Sequence, residues 1–165
     1  MAFEIERKFL VVGDAWKVMA INVFQIRQAY LTSNDKASIR VRIKDNSVAT
    51  LSVKSRGAEL KRLELEYEIP IIEAEAMLPL RRGSVVEKQR SLVPYDGHVW
   101  EIDTFLGENT GLIVAEVELK AEDQPFSRPA WLGAEVTRQL NYYNSALAER
   151  PFTSWTKADR AAAGY

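Results

Sequence analysis

Residues 4–9 read EIERKF, so Glu4, Glu6 and Lys8 occupy alternate positions. In an extended strand residues i and i+2 share a face, which would line up two carboxylates and an ammonium. The pattern recurs. SIRVRIK sets Arg40, Arg42 and Lys44 opposite Ile39, Val41 and Ile43, and TLSVK sets Lys54 opposite Leu51 and Val53. RLELEYEI sets Arg62, Glu64, Glu66 and Glu68 against Leu63, Leu65, Tyr67 and Ile69. VEKQR aligns Lys88 with Arg90, WEIDTF aligns Glu101 with Asp103, and VAEVELK places Glu116, Glu118 and Lys120 opposite Ala115, Val117 and Leu119.

A half-solvated antiparallel sheet would produce such alternation without any function. Two features argue for more. The charged faces carry little of the Thr, Ser and Gln that usually fill a wet face. Acids and bases are also segregated by strand, and like charges at i and i+2 gain nothing structurally unless something charged lies between them. Closing the sheet with these faces inward turns the pattern into chemistry. About eight strands leave room for side chains or one small ligand. Lys8, Arg40, Arg42, Lys54, Arg62, Lys88 and Arg90 would grip a small polyanion, arginine forks matching phosphate oxygens. Glu4, Glu6, Glu64, Glu66, Glu101, Asp103, Glu116 and Glu118 supply oxygen donors suited to a hard cation such as Mg²⁺ or Mn²⁺. A polyanion beside carboxylate-held cations points to phosphoryl chemistry. No GxxxxGK or GxGxxG loop is present, so phosphate would be held by side chains.

The elements that must position these residues are mostly strands. Alternation predicts strands at about 3–11, 24–32, 37–44, 49–55, 61–69, 85–93, 98–105 and 112–120. TSND, DNS, SRGA, PYDGH and GENTG connect several of them and are short enough for hairpins. Helical patterns are fewer: 13–20 with Asp14 as cap, 71–82 ended or kinked by Pro79, 144–150 capped by Asn144 or Ser145, and a tail that is helical or frayed. The fold class is therefore mainly β with flanking helices (α+β), with Trp16, Met77 and Trp131 covering the outward apolar face. A unit of residues 1–150 and a tail of 151–165 are expected.

The 165 residues are 47% apolar and 27% charged, which suits one globular domain. A net charge of −1 argues against broad attraction to nucleic acid or membranes. There is no cysteine and one histidine, His98, which excludes thiol chemistry and a histidine metal cluster. His98 is expected in a surface turn, and Trp131 as packing. The charged start of the chain predicts no signal peptide, no apolar run approaches the roughly 18 residues of a membrane span, and a cytoplasmic setting follows. Monomer and homodimer both remain open.

EIERK, followed in order by RQAYL, IRVR, LSVKS, RLELEYEIP, VEKQR, WEIDTF, VAEVELK and WLGAEVT…YYN, resembles the CYTH superfamily, the triphosphate tunnel metalloenzymes. The resemblance covers about residues 4–147 and is nearest to the small bacterial inorganic triphosphatases. It implies a closed eight-stranded antiparallel β-barrel forming a charged tunnel open at both ends. It also implies metal-dependent hydrolysis of a triphosphate, foremost inorganic tripolyphosphate, with two ions in the active state. A lysine–tyrosine catalytic pair falls on Lys8 and Tyr30, and the metal ligands on Glu4, Glu6, Glu116 and Glu118. Phosphate contacts fall on Lys8, Arg40, Arg42, Lys54, Arg62, Lys88 and Arg90. Glu64, Glu66, Glu101 and Asp103 are further tunnel acids. Gln139 and Asn141 stand where relatives carry an acid and a base, which would alter metal affinity or substrate choice. An adenylate cyclase or a thiamine triphosphatase of the same fold stays open, as does a non-catalytic polyphosphate or nucleotide binder.

Overall fold

The computed structural model describes residues 2–56 and 61–165. Nine strands form one sheet: β1 (Ala2–Val11), β2 (Asn22–Ser33), β3 (Ala37–Lys44), β4 (Val48–Ser55), β5 (Lys61–Ile69), β6 (Arg82–Tyr95), β7 (His98–Phe105), β8 (Ile113–Leu119) and β9 (Leu132–Glu135). Their order is β5-β4-β3-β2-β6-β7-β8-β1-β9, and a further β5–β1 pairing closes the first eight into a barrel. All pairings are antiparallel. The closing seam is divided. The first half of β1 pairs with β5, Glu4 opposite Arg62, and its second half pairs with β9, Phe9 opposite Glu135. The sequence alternation did not reveal β9, because four residues are too few to show a period.

Hairpin chemistry fits the connections that are described. Tyr95 pairs with His98, and the two residues between them, Asp96 and Gly97, have φ of 44° and 78°. Positive φ at both positions is what a tight hairpin following the sheet's twist needs, and Asp and Gly tolerate it. Asp45 and Asn46 do the same between β3 and β4, at φ 50° and 51°. The SRGA connection lies partly outside the described residues.

The barrel is inside-out in polarity. Its charged rows point inward, so its outward apolar faces need cover, and two clusters provide it. Helix α1 (Ile71–Met77) and the turn after it lay Ala74 and Leu78 on Ala29, Val41, Ile43 and Ala49, with Met77 packed alongside. Trp16 and Trp131 cover Ile5, Phe9, Trp100, Ile102 and Val117, with Trp100 edge-on to Trp131 at 5.5 Å between centroids. A third cluster lies inside: helix α2 (Asn144–Glu149) and the tail bring Leu147, Phe152 and Trp155 onto Tyr30, Val86, Phe105 and Val114, which continue the inward rows of Gln28, Lys88, Asp103 and Glu116, so one end of the expected open tunnel is filled. Each cluster removes large apolar surface from water, at roughly 1.5–3 kcal/mol per fully buried large side chain.

The helices differ from expectation at their ends. The segment 13–20 forms a short 3-10 turn, Ala15–Met19, and the Asp14 side chain makes no capping bond. Helix α1 gives way to a 3-10 turn at Leu78–Leu80 that contains Pro79, because proline lacks the N–H that would continue the ladder. Tyr143, not Asn144 or Ser145, precedes α2 as its N-cap, without a side-chain bond. The tail forms α3 (Lys157–Ala162), capped reciprocally by Thr156 and Asp159. No helix among the described residues is long and apolar enough to cross a membrane.

Candidate active site

The inward faces meet in one cavity of about 830 Å³. β1 contributes Glu4, Glu6 and Lys8, β2 contributes Tyr30, β3 Arg40 and Arg42, and β4 Lys54. β5 adds Arg62, Glu64 and Glu66, β6 Lys88 and Arg90, β7 Glu101, and β8 Glu116 and Glu118. Strand register explains the grouping. Glu6 lies opposite Glu118 and Lys8 opposite Glu116 across β1–β8, while Lys54 faces Glu64 across β4–β5.

Asp103 departs from the expected row of tunnel acids. It shares the inward face of β7 but is fully buried and does not line the cavity. Register sets it opposite Arg90. Arg90 donates to its two carboxylate oxygens at 2.7 Å each, and Lys88 Nζ donates at 2.5 Å. The two cations lie over Asp103 and separate it from the cavity, making it a support for bases rather than a wall acid. Glu68 is exposed and lies off the cavity as well.

Most remaining charges are paired. Lys54 Nζ holds Glu4 at 2.7 Å, Glu64 at 3.0 Å and Glu6 at 3.4 Å. Arg40 reaches Glu64 at 3.1 Å and the Ser52 hydroxyl at 3.2 Å. Lys8 donates to Glu116, and Arg90 to Glu101 and to Glu116. The balance is incomplete: among the described residues Arg42 and Glu118 make no ion pair. Arg62 is likewise without an acid and stacks on the Tyr143 ring at 4.9 Å.

The electrostatics follow from crowding. Burial, then repulsion from Arg40 and Arg90, pulls Arg42 down to about 10, so a bound anion would relieve it. Burial likewise pulls the Lys88 ammonium down to about 8, helped by Arg90 and opposed by Asp103. Burial and a hydrogen bond with Glu64 push the Glu4 carboxyl up to about 7, against the pull of Lys54. Burial would raise Glu64 too, but its bond from Glu4 and the charges of Lys54 and Arg40 hold it at about 2. Glu4 and Glu64 thus share a proton, as close carboxyl pairs do. For Glu116, Lys8, Arg90 and Lys88 outweigh burial and keep the carboxyl well below its ordinary range.

These acids fit a hard divalent cation in donor chemistry. All are carboxylate oxygens, Glu118 lacks a basic partner, and the Glu4 proton is one a cation would displace. Among the described residues no three acids already enclose a position close enough to hold an ion. Binding would therefore draw Glu4 and Glu6 from Lys54.

Several lining residues had no distinguishing signal in the sequence. Leu92, His98 and Gln124 border the cavity, as do Tyr143, Asn144 and Ser145 from the start of α2, whereas Lys120, also at the cavity, continues the expected row of Glu116 and Glu118. His98 follows the expected turn, yet it is half-buried, lines the cavity and lies 3.0 Å from the Gln124 amide nitrogen. Gln124 and Tyr143 sit outside the eight barrel strands, where alternation carries no information. Asn144 Oδ1 accepts from Lys88 Nζ at 3.3 Å, tying α2 to the basic row. Gln139 caps a 3-10 turn at Leu140–Tyr142, Asn141 lies within it, and neither lines the cavity. Their departure from the usual acid and base therefore falls outside it. Glu135 is also outside the cavity, forked onto Arg7 at 2.6 and 2.7 Å. Thr137 accepts from the Lys8 backbone N–H at 3.0 Å, so these residues latch the β1–β9 seam.

The family model for the CYTH domain matches residues 2–152. An inorganic triphosphatase from Acetivibrio thermocellus is 44% identical over 156 residues, spanning 94% of this chain and 99% of the relative. One from Nitrosomonas europaea is 38% identical over 150 residues, spanning 88% and 96%. A crystal structure of an inorganic triphosphatase superposes with a TM-score of 0.65 at 35% identity, covering 90% of this chain and 96% of its own. The barrel, its charged interior and these matches agree, and the chain belongs to the CYTH domain family.

Proposed function

We propose that this protein is a divalent-metal-dependent inorganic triphosphatase, hydrolysing tripolyphosphate to pyrophosphate and phosphate inside the barrel. The observation that carries this reading is the unbalanced pair lining one cavity. Among the described residues Arg42 is a half-buried guanidinium without an acid, and Glu118 is an exposed carboxylate at the cavity without a base. A polyanion with its cation would satisfy both. Curated relatives named inorganic triphosphatase, aligned over nearly their full length, support the substrate class.

The roles follow from position. Arg40, Arg42, Arg62 and Arg90, with Lys54 and Lys88, bind and neutralise the phosphate chain, their forks fixing its oxygens. Glu6 and Glu118, facing across β1–β8, with Glu4 and Glu116 next along the same strands, would hold Mg²⁺ or Mn²⁺, two ions in the active state. A metal bound there supplies Lewis acidity toward phosphate oxygens and a more acidic water. In the net step a P–O bond forms from water to the terminal phosphorus and the bridging P–O bond breaks. Pyrophosphate leaves and the water's proton passes to solvent. Lys8 and Tyr30 orient the terminal phosphate, with Lys8 held by Glu116. Catalysis comes mainly from positioned charge. Residues 1–150 carry this chemistry while the 151–165 tail buttresses the barrel, in a cytoplasmic setting.

The test is a matrix of tripolyphosphate, ATP and thiamine triphosphate against Mg²⁺, Mn²⁺ and EDTA, followed by phosphate release and, for ATP, cyclic AMP. Fastest turnover on tripolyphosphate, abolished by EDTA, is expected. Faster turnover of either organic triphosphate, or binding without turnover in every metal, would replace the reading.

A further inference from the structure

Beneath the cavity wall lies a residue with no role so far. Gln28 is fully buried, on the inward face of β2, two residues before Tyr30. It does not line the cavity, whereas Tyr30 does. Its Nε2 donates to the Tyr30 phenol oxygen at 3.3 Å. Its Oε1 has no partner, although it is buried. Register sets Gln28 opposite Arg42 on β3 and opposite Val86 on β6. Arg42 has the complementary deficit, since its Nε is buried and unpartnered.

A buried amide in an otherwise charged and apolar wall is costly unless its groups are used. Here each half of the amide has an assignable task. The donor half occupies a lone pair of the Tyr30 oxygen. The Arg40 and Arg42 guanidiniums act on that oxygen electrostatically. With that side of the oxygen taken by a donor, the phenol directs its own O–H elsewhere, and Tyr30 borders the cavity. The acceptor half and the Arg42 Nε–H are both without a partner at directly opposed positions of β2 and β3, and a small approach would pair them and hold the guanidinium against the wall. That leaves the terminal nitrogens of Arg42 for the cavity. A leucine of similar size would pack there equally well and do neither.

We propose that Gln28 is a positioning residue: its amide, held under the wall between Tyr30 and Arg42, keeps the Tyr30 hydroxyl a hydrogen-bond donor, and the Arg42 fork aimed, toward a bound phosphate oxygen. The inference rests on the tripolyphosphate reading above. It gives Tyr30 a defined sense, donor to the anion rather than acceptor from it.

The experiment is a double-mutant cycle of Gln28→Leu and Tyr30→Phe, with Gln28→Glu as an isosteric partner that accepts where glutamine donates. Folding is followed by thermal melting, turnover by phosphate release, and tripolyphosphate affinity by calorimetry without metal. Gln28→Leu is expected to lower kcat about tenfold and to weaken tripolyphosphate binding. In the Tyr30→Phe background the further loss in kcat should be under about twofold, because the phenol it serves is gone. Gln28→Glu should fall at least as far as Gln28→Leu, since its carboxylate would accept a hydrogen bond from the Tyr30 O–H and turn it away from the cavity. Equal losses in both backgrounds, or wild-type turnover by Gln28→Glu, would overturn the proposal. If Gln28→Leu fails to fold, the Gln28→Glu comparison in the two backgrounds decides by the same criterion. If the wild type does not turn over tripolyphosphate in any metal, the functional reading falls. The affinity cycle then decides the positioning role: coupling between Gln28 and Tyr30 upholds it, and additivity overturns it.

Discussion

Replacing Asp103 by asparagine should destabilise the barrel sharply and change how it responds to anions. Asp103 has no solvent exposure and bonds both Lys88 and Arg90. Removing one partner of a buried ion pair typically costs about 3–5 kcal/mol, because the remaining charge is left uncompensated. Two features place this case near the lower end. Lys88, already pulled down to about 8, can shed its proton, and Arg90 keeps Glu101 and Glu116. A loss of about 3 kcal/mol in a chain of this size corresponds to a Tm drop of roughly 6–12 °C. The assay is thermal melting at pH 7 with and without tripolyphosphate. The anion should raise the variant's Tm more than the wild type's, since it takes over part of Asp103's task. The pH dependence has a definite sign. Burial would raise the Asp103 pKa, but Arg90 and Lys88 outweigh it and hold the group below its ordinary 3.8. Its contribution is therefore complete above that value and is lost as pH falls through the folded pKa. Wild type and variant should converge in acid. A Tm within about 2 °C of wild type at pH 7 would refute the assignment of Asp103 as the support of the basic row.

Arg42→Met should leave the melting temperature unchanged or raise it, because no described acid is left unpaired, while tripolyphosphate affinity by calorimetry falls about tenfold or more. Gly83→Ala should cost about 2–4 kcal/mol in denaturant unfolding. The position has φ +67°, and a Cβ there would meet the Ala148 carbonyl oxygen of α2 at 2.3 Å. Mn²⁺ affinity by calorimetry should strengthen as pH rises through about 7, where the Glu4 carboxyl loses its proton. That dependence should flatten in Glu4→Gln.

Much of the site was legible because strand alternation is a strict period of two. Once the strands of IRVR, VEKQR and VAEVELK are placed, the inward parity of Arg40, Lys88 and Glu116 follows without a structure. The eight barrel strands match their expected positions within a few residues. What alternation cannot convey is depth. Glu101 and Asp103 share one face, yet only Glu101 reaches the cavity, because Arg90 and Lys88 fold over its neighbour. Gln28 drew no attention for a similar reason: its value lies in which groups it touches, and those come from β3 and its own strand. β9 and the N-cap of α2 were hidden by brevity. Gln139 and Asn141 were judged by spacing from a motif, whereas the chain leaves the barrel before reaching them.

The central claim is that Glu6 and Glu118 hold a catalytic cation against a triphosphate gripped by the opposite wall. The most direct test measures Mn²⁺ affinity and tripolyphosphate turnover in wild type, Glu6→Gln and Glu118→Gln, with thermal melting as the control for folding. The account predicts that each variant remains folded, binds Mn²⁺ at least tenfold more weakly and loses kcat by about a hundredfold or more. Wild-type turnover and wild-type Mn²⁺ affinity in both folded variants would contradict it.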